Sequence, residues 1–433
     1  MSKLKSLFFY ILFAIVLASC RHNSDTINST KDGIFAGTFS YGNFTDKIQF
    51  EIEKDSSNYL VYFTSLEQNA NRIPLQQINV VGDSINFKLQ SDYYTYTFKN
   101  KWVDNNEKLQ GSLTVDTVTV NYSLEKELKD EHTLKSEDII FKSNNLSLNG
   151  TIWYPQKSNG NALVMVTSSG NADRSSSRAE AILFAQKGYT TFHYDKRGTG
   201  ISEGDWTSST IEELSFDDIY AINYFSNKTH IPISKIGIKG SSQGASKVPY
   251  ILNKLPDLNY GIVVSCPGVT LLESDLNYWK NSNYNEIGDD IEEAVNVQAA
   301  VFRFIAGTLS KTELEKLIKS KKDKVWFKNI WIPNLEEVKT DEKLNYTPIP
   351  FFEKVKQPIL IVQGTKDDII PLESSQIIAE AIKKAGNKNF EVHLLEGASH
   401  SMNYVGKSDF PYWSKLHSDY IETLTKWLSN VTK

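Results

Sequence analysis

Residues 235–250 read KIGIKGSSQGASKVPY, and this stretch decides the fold. Its first six residues are rich in isoleucine and typical of a buried strand, and the residues from 242 onward are compatible with a helix. Between them, Gly240, Ser242 and Gly244 form a G-x-S-x-G pattern, which places a serine on a tight strand-to-helix turn. The glycines are needed because the backbone folds back on itself there, and the helix N-terminus favours negative charge. Ser242 is therefore the candidate nucleophile.

A second G-x-S-x-G pattern, at residues 200–204, has a different context. It follows a strand-like run and a Gly-rich turn, but the residues after it, DWTSST, do not begin a helix. We therefore interpret Ser202 as part of a structural loop and retain Ser242.

The length and composition indicate a globular protein of two or three domains. The chain has 433 residues, of which 40% are hydrophobic and 23% charged, and its net charge is −5. At roughly 100–200 residues per domain, this is ample for more than one buried core. The absence of a basic run from the sequence argues against nucleic acid as a partner.

The N-terminus predicts export. Residues 1–19 combine a basic start with an apolar run at 7–17 that is too short for a membrane span, which is typical of a signal peptide. The sequence LASC at 17–20 resembles a bacterial lipobox, so we expect lipidation of Cys20 and anchoring, through a tether at 20–31, to the bacterial cell envelope at the outer membrane or periplasm. The alternative is an ordinary signal peptide or a short anchor with a chance cysteine.

Residues 32–128 predict a small all-β domain, either a sandwich or a barrel. Short segments that alternate apolar and polar residues are separated by Gly, Asn, Asp and Ser. This part of the sequence has no His, Cys or clustered carboxylates suited to chemistry. Its aromatic residues are either a ligand-binding face or, more commonly at strand spacing, part of a core: Tyr93, Tyr94, Tyr96 and Phe98.

From residue 132 to 433 strands alternate with helices, which predicts a mostly parallel sheet with helices on both faces. The interval at about 270–350 is helix-rich and falls between two strands, so we expect a helical lid over the strand ends, where open α/β sheets bind ligands. Its aromatic residues either line an acyl or aglycone pocket or hold the lid in place: Trp279, Phe302, Phe304, Trp326 and Trp331.

A serine hydroxyl needs a base, and the base needs an orienting carboxylate. Of the seven histidines, only His400, in EGASHSMN, lies in a loop after a strand, where the strand ends converge. The acid is expected between Ser242 and His400, after the strand PILIVQG, where Asp367 and Asp368 are available. We predict Asp367, three residues after Gly364, with Asp368 as the alternative.

Attack on a carbonyl creates an oxyanion that needs two backbone N–H donors. One is expected from Gln243, the residue after the nucleophile. The other is expected from the loop at 168–171, where we predict Ser169, with Gly170 as the alternative.

From about residue 138 to 428, these residues resemble the α/β-hydrolase superfamily, above all bacterial esterase and serine-aminopeptidase-like members related to dienelactone hydrolases. SSGNADR at 168–174 resembles their oxyanion loop S-G-S-G-x-x-D-R, with Ser168 in place of a glycine. YDKRGTGISEG resembles their D-x-R-G-x-G-x-S segment, and GSSQGASKVP is similar to their G-S-S-Q-G-G-x-x-x-P, with Ala245 for the second glycine. A preceding β domain is similar to exported bacterial lipoprotein esterases.

The resemblance implies acyl transfer to water, with Ser242 attacking, His400 as base and then acid, and Asp367 orienting His400. The expected activity is a carboxylesterase on small or medium acyl esters. The alternatives are a serine (amino)peptidase with the same triad, whose substrate amine would be anchored by lid residues Asp289, Asp290, Glu292 and Glu293, and an inactive surface binding lipoprotein.

We expect no cofactor and no metal, because the sequence has no H-E-x-x-H motif, Cys/His cluster or phosphate loop. If Cys20 carries lipid, Cys266 has no partner for a disulfide. Cys266 ends an apolar run and is interpreted as an inert core thiol.

Overall fold

The structure is a computed structural model that describes residues 30–56, 58–91, 94–127, 134–406 and 408–432. The predicted signal peptide, Cys20 and Tyr93 lie outside the described residues. Within the described ranges, no helix is long and apolar enough to cross a membrane.

The N-terminal part of the chain forms one antiparallel sheet of nine strands, in agreement with the predicted all-β domain. The order β4-β3-β2-β1-β9-β8-β7-β6-β5 puts β4 and β5 at opposite edges, yet one residue joins them, so the sheet is nearly closed. The strands are β1 (Gly33–Tyr41), β2 (Phe44–Asp55), β3 (Asn58–Ser65), β4 (Ala70–Pro74), β5 (Gln76–Val81), β6 (Ser84–Gln90), β7 (Thr95–Val103), β8 (Lys108–Val115) and β9 (Val118–Glu127).

Alternation along these strands directs aromatic side chains inward. On β7, Tyr96, Phe98, Asn100 and Trp102 are all buried, and the residues that alternate with them are more exposed. Tyr96 and Phe98 therefore pack the core of the β domain, whereas Tyr94, just before the strand, is 39% exposed.

The C-terminal part of the chain completes this core. Phe410 and Trp413 are buried among the aromatic residues of the β domain. The Trp413 indole N–H donates to the Asp46 carboxylate (2.6 Å), and the Tyr96 hydroxyl donates to the Tyr412 carbonyl (2.6 Å). The two halves of the chain thus share one hydrophobic core at this point.

The second sheet has eight strands in the order β10-β11-β13-β12-β14-β15-β16-β17. β10 and β11 form an antiparallel hairpin, β11 pairs antiparallel with β13, and the other pairs are parallel. The strands are β10 (Lys135–Ser143), β11 (Leu146–Tyr154), β12 (Ala162–Met165), β13 (Thr190–Tyr194), β14 (Ile236–Ser241), β15 (Tyr260–Val264), β16 (Ile359–Gly364) and β17 (Phe390–Leu395).

Helices cover both faces of this sheet, because its central strands are apolar on both sides. α2, α3 and α8 contribute to the core on one face, and α1 and α9 to the core on the other. The helices are α1 (Arg178–Gln186), α2 (Ile211–Thr229), α3 (Gln243–Lys254), α4 (Leu271–Ile287), α5 (Ile291–Ile305), α6 (Lys311–Lys321), α7 (Ile349–Phe352), α8 (Ser374–Lys384) and α9 (Ser418–Val431).

The helix-rich insertion between β15 and β16 has an apolar core of its own. Trp279 and Trp326 are buried in it, and Phe302 and Phe304 pack against it, whereas Trp331 is 55% exposed. Most of these aromatic residues therefore hold the insertion together.

His193, on β13, is a fully buried neutral histidine. Its Nε2 accepts the indole N–H of Trp153 (3.0 Å), and its Nδ1 lies 2.7 Å from the backbone oxygen of Arg174, to which it donates. Burial, assisted by the positive charge of Arg178, lowers the pKa of His193 to about 3. It is a structural residue.

Replacement of His193 by Gln is expected to reduce the loss of stability in acid. The unfolded chain protonates His193 below its ordinary pKa of 6.5, whereas the folded protein does so only near pH 3, so folding free energy is lost as pH falls between these values. At about pH 5 the loss attributable to His193 is about 1.4 kcal/mol per pH unit. Urea unfolding of both proteins from pH 7 to 4 measures this slope, and equal slopes would contradict the assignment.

Candidate active site

Ser242 lies on the turn between β14 and α3. Its φ of 53° is in the left-handed region, a strained conformation for a residue with a side chain. A Cβ on Gly240 would lie 2.3 Å from the Gly244 oxygen, and a Cβ on Gly244 would lie 2.9 Å from the Thr167 oxygen. This close packing explains why both flanking positions are glycine.

Ser202, in the other G-x-S-x-G pattern, is engaged in a loop. Its hydroxyl donates to the Asp195 carbonyl (2.7 Å) and accepts the Asn149 N–H (2.9 Å). These bonds tie the loop after β13 to β11, as expected for a structural role.

His400 and Asp367 lie in the loops after β17 and β16, where parallel strands end at one edge of the sheet. Nδ1 of His400 is 3.0 Å from each carboxylate oxygen of Asp367, whose side chain is fully buried. Oδ1 of Asp367 also accepts the N–H groups of Ile369 (3.0 Å) and Ile370 (2.9 Å), which fix its orientation. The structure brings Asp367 to His400, whereas Asp368 is exposed.

Ser242 and His400 line the same cavity, which has a volume of about 260 Å³. The loop after β12 and the start of α1 form one side, and Asn69, from the turn between β3 and β4, reaches it from the β domain. Of the residues that the structure describes, none in the insertion at 270–350 lines this cavity. The insertion instead contacts the loop after β16, where Asn281 donates to the Asp368 carbonyl (2.8 Å).

The loop after β12 is fastened to the turn at Ser242. The Ser168 hydroxyl donates to the Ser241 carbonyl (2.9 Å), and the Lys196 ammonium donates to the carbonyls of Ser168 (2.7 Å) and Gly170 (2.6 Å). Because the peptide unit is planar and trans, the Ser169 N–H points opposite to the Ser168 carbonyl and hence away from Lys196.

The structure places the residues predicted as oxyanion donors, Ser169 and Gln243, and the alternative, Gly170, as follows. Ser169 lines the cavity, and Gly170 is not among the described lining residues. Gln243 is the first residue of α3, so its N–H has no acceptor within the helix. Gln243 directly follows Ser242 in the chain, and Ser169 lines the same cavity as Ser242.

Lys196 is a site residue that sequence reasoning missed. Its ammonium lies 4.3 Å from the Trp206 ring centroid, and burial lowers its pKa to about 8. Lys247 and Lys343 act in the same direction and Asp218 opposes them. A lysine next to the Gly-rich turn at 197–200 was the available signal, but only the fold shows that it reaches the loop after β12.

A family model described as the alpha/beta hydrolase fold matches residues 163–407, more than half of the chain. The chain belongs to the alpha/beta hydrolase fold family. Two curated Escherichia coli relatives of this hydrolase, each named "Uncharacterized 31.7 kDa protein in traX-finO intergenic region", are 24% identical over 213 residues, which is 48% of this chain and 73% of theirs.

Solved structures similar to this hydrolase include a Pyrococcus furiosus esterase, Pf2001, with 14% identity and a TM-score of 0.46 over 69% of this chain and 91% of the other. Proline iminopeptidase of Mycobacterium smegmatis has 14% identity and a TM-score of 0.43, over 68% and 96%. Est1E of Butyrivibrio proteoclasticus, solved with ferulic acid, has 15% identity and a TM-score of 0.42, over 68% and 96%. At these TM-scores the likeness carries no argument about substrate.

Replacement of Lys196 by Met is expected to slow the reaction of Ser242 with a fluorophosphonate about tenfold at pH 7, because the loop that carries Ser169 loses its fastening. The wild-type rate should also decline above about pH 8, as the ammonium loses its charge and its bonds to the carbonyls weaken. The labelling rate as a function of pH measures both effects.

Lys254→Met is the matched control, since the ammonium of Lys254 also lies near an aromatic ring, that of Tyr250, but on the exposed side of α3. It should label like the wild type. A Lys196→Met protein with an unchanged rate and pH profile would contradict the positioning role.

Proposed function

We propose that this alpha/beta hydrolase is a serine hydrolase that cleaves carboxylic esters through an acyl-enzyme. One observation carries the proposal: His400 is held by the buried carboxylate of Asp367 at 3.0 Å and opens into the same cavity as Ser242. A strained serine and an oriented imidazole that line one cavity are the groups that acyl transfer requires.

The proposed reaction has two halves. Oγ of Ser242 attacks the ester carbonyl while Nε2 of His400 takes the hydroxyl proton, and the N–H groups of Gln243 and Ser169 stabilise the oxyanion. His400 then gives the proton to the departing alcohol, which leaves an acyl-enzyme. Water attacks the acyl group with His400 as base, and this releases the acid and restores Ser242. Asp367 keeps Nδ1 of His400 protonated and fixes the ring.

The peptidase alternative has weaker support. An amine anchor was expected from acidic residues of the insertion, but Glu292 pairs with Lys280 (2.6 Å), and Glu293 with Lys321 (2.6 Å) and Lys324 (3.1 Å). Neither of these glutamates is among the described residues that line the cavity. We therefore favour esters as substrates. The binding-protein alternative would require an inactive site, and the acid and the base are in contact here.

Replacement of Ser242 by Ala is expected to abolish fluorophosphonate labelling and to lower kcat for 4-nitrophenyl acetate by at least about a thousandfold. Asp367→Asn should lower kcat strongly as well, because the imidazole loses its orienting charge. Asp368→Asn is the matched control and should stay within about twofold of wild type, since its side chain is exposed. Labelling of Ser242→Ala, or a greater loss in Asp368→Asn than in Asp367→Asn, would contradict the assignment.

We also propose that the protein is exported and anchored by lipid on Cys20, a residue outside the described part of the chain. The motivation is the lipobox-like LASC at residues 17–20. Cys20→Ala should abolish palmitate incorporation in bacterial cells and shift the protein from the membrane to the soluble fraction. Palmitate incorporation at the wild-type level in this variant would rule the anchor out.

A further inference from the structure

The cavity beside Ser242 has charged side chains in its wall that the proposed mechanism does not use. Lys239 and Glu180 both line it, with side chains 6% and 5% exposed. Their Nζ and Oε2 atoms are 2.5 Å apart. The Tyr420 hydroxyl, which also lines the cavity, donates to Oε1 of Glu180 (2.8 Å). We call Lys239, Glu180 and Tyr420 the polar floor of the cavity.

In the polar floor, one N–H of the Lys239 ammonium has no oxygen acceptor among the described residues. An ammonium has three N–H donors, and those of Lys239 reach Glu180 and the Ser241 hydroxyl (3.0 Å). Each oxygen of Glu180 already accepts one bond, from Lys239 or from Tyr420. The ammonium also lies 5.9 Å from the centroid of the Tyr420 ring. Within the described part of the chain its third N–H has no oxygen acceptor, so it is available to an acceptor in the cavity.

Most of the other residues that line the wall carry a polar side chain. Ligand pockets are usually lined by apolar side chains with a few polar groups, but here the apolar lining residues are few: Met165, Val166, Ala172, Val264 and Met402. The cavity, at about 260 Å³, also lies just below the common range for ligand sites. Its volume suits a small group rather than a long alkyl chain, and the polar side chains of the wall offer hydrogen bonds to such a group.

The β domain contributes to the same wall. Asn69 lies at the turn between β3 and β4 with a φ of 52°, and it lines the cavity. The turn is held near α1 because Arg178, the first residue of that helix, donates to the Arg72 carbonyl on β4 (2.8 Å). A carboxamide has both donor and acceptor atoms, so Asn69 adds another polar residue to the wall.

We propose that the polar floor is a specificity site for an uncharged, oxygen-bearing group of the substrate, such as a hydroxyl, an ether or a carbonyl. Glu180 already balances the charge of Lys239, so a carboxylate in the cavity would face Glu180 and an ammonium would face Lys239. A neutral oxygen accepts the spare N–H without either repulsion. This inference rests on the proposed ester hydrolysis, and it names the class of ester.

Two pairs of esters of equal size test the proposal. In the acyl pair, 4-nitrophenyl methoxyacetate is compared with 4-nitrophenyl butyrate. In the alcohol pair, 2-methoxyethyl acetate is compared with butyl acetate. One oxygen replaces one methylene in each pair, and every kcat/KM is divided by the rate of the hydroxide reaction. The wild type should prefer the oxygenated ester at least about tenfold in the pair whose varied group occupies the cavity, as expected for a bond to a charged donor.

The variant Lys239→Met/Glu180→Gln removes both charges together, so that neither is left buried and unpaired. Its preference for the oxygenated ester should be at least about tenfold smaller than that of the wild type, and it should still react with a fluorophosphonate. If this variant does not fold, Lys239→Gln/Glu180→Gln is used instead, because its two amides can form a hydrogen bond with each other. Its preference for the oxygenated ester should be at least about threefold smaller than that of the wild type.

The matched control is Arg197→Met/Asp217→Asn, which removes another buried ion pair (2.6 Å) whose residues are not among the described lining residues. Its ratio of kcat/KM for the oxygenated ester to kcat/KM for the alkyl ester should equal that of the wild type. A wild type without the preference, or a Lys239 and Glu180 double variant that keeps it, overturns the inference while leaving the esterase proposal intact. A wild type that neither labels nor hydrolyses any of the four esters overturns both.

Discussion

The turn at Ser242 is the constraint on which the rest of the structure depends. A Cβ on Gly240 would collide with the backbone of Gly244, and a Cβ on Gly244 would collide with the Thr167 carbonyl, so neither position has room for a side chain. Ser242, between them, is held at a positive φ. The Ser242 N–H donates to the Val264 carbonyl (2.9 Å), and the Ser241 carbonyl accepts the Ser168 hydroxyl. These bonds join the turn to the end of β15 and to the loop after β12, the strands on either side of β14. The positions of the neighbouring loops are therefore fixed relative to the same turn.

Three lysines near the site bind oxygen atoms of neighbouring segments. Lys196 binds loop carbonyls, Lys239 pairs with Glu180, and Lys247 pairs with Asp218 at 2.6 Å. Burying a charge is costly unless it is paired and hydrogen-bonded. Lys196 and Lys247 bind the loop after β12, the latter through the Thr167 hydroxyl (2.7 Å). Lys239 and Glu180 place two charged groups in the wall of the cavity beside the serine.

The β domain is structurally continuous with the loop that carries the base. Ten residues after His400, Phe410 is buried in the β-domain core, and the Leu416 N–H donates to the Glu67 carbonyl (2.6 Å). His417 then caps α9 by accepting the Asp419 N–H (3.2 Å). The segment after His400 is thus held by the β domain from Phe410 onward, and the β domain also supplies Asn69 to the cavity.

The sequence by itself determined the local features of this protein. These are the strands of the β domain with their alternating apolar and polar residues, the succession of strands and helices in the hydrolase, and the turn at Ser242. Each follows from periodicity or from glycines at short spacing, so it can be read within a window of a few residues. The choice of Asp367 over Asp368 also followed from spacing, and the structure brings the former to His400.

Only the tertiary structure decided which distant residues share the cavity. Lys239 is a charged residue within an isoleucine-rich strand, but its partner Glu180 is on α1. Asn69, which lines the same cavity, is in the other domain. The expected lid, by contrast, packs its aromatic residues mainly within its own core. Such contacts join residues tens to hundreds of positions apart, and they depend on how the sheet twists and the helices dock, which no local pattern records.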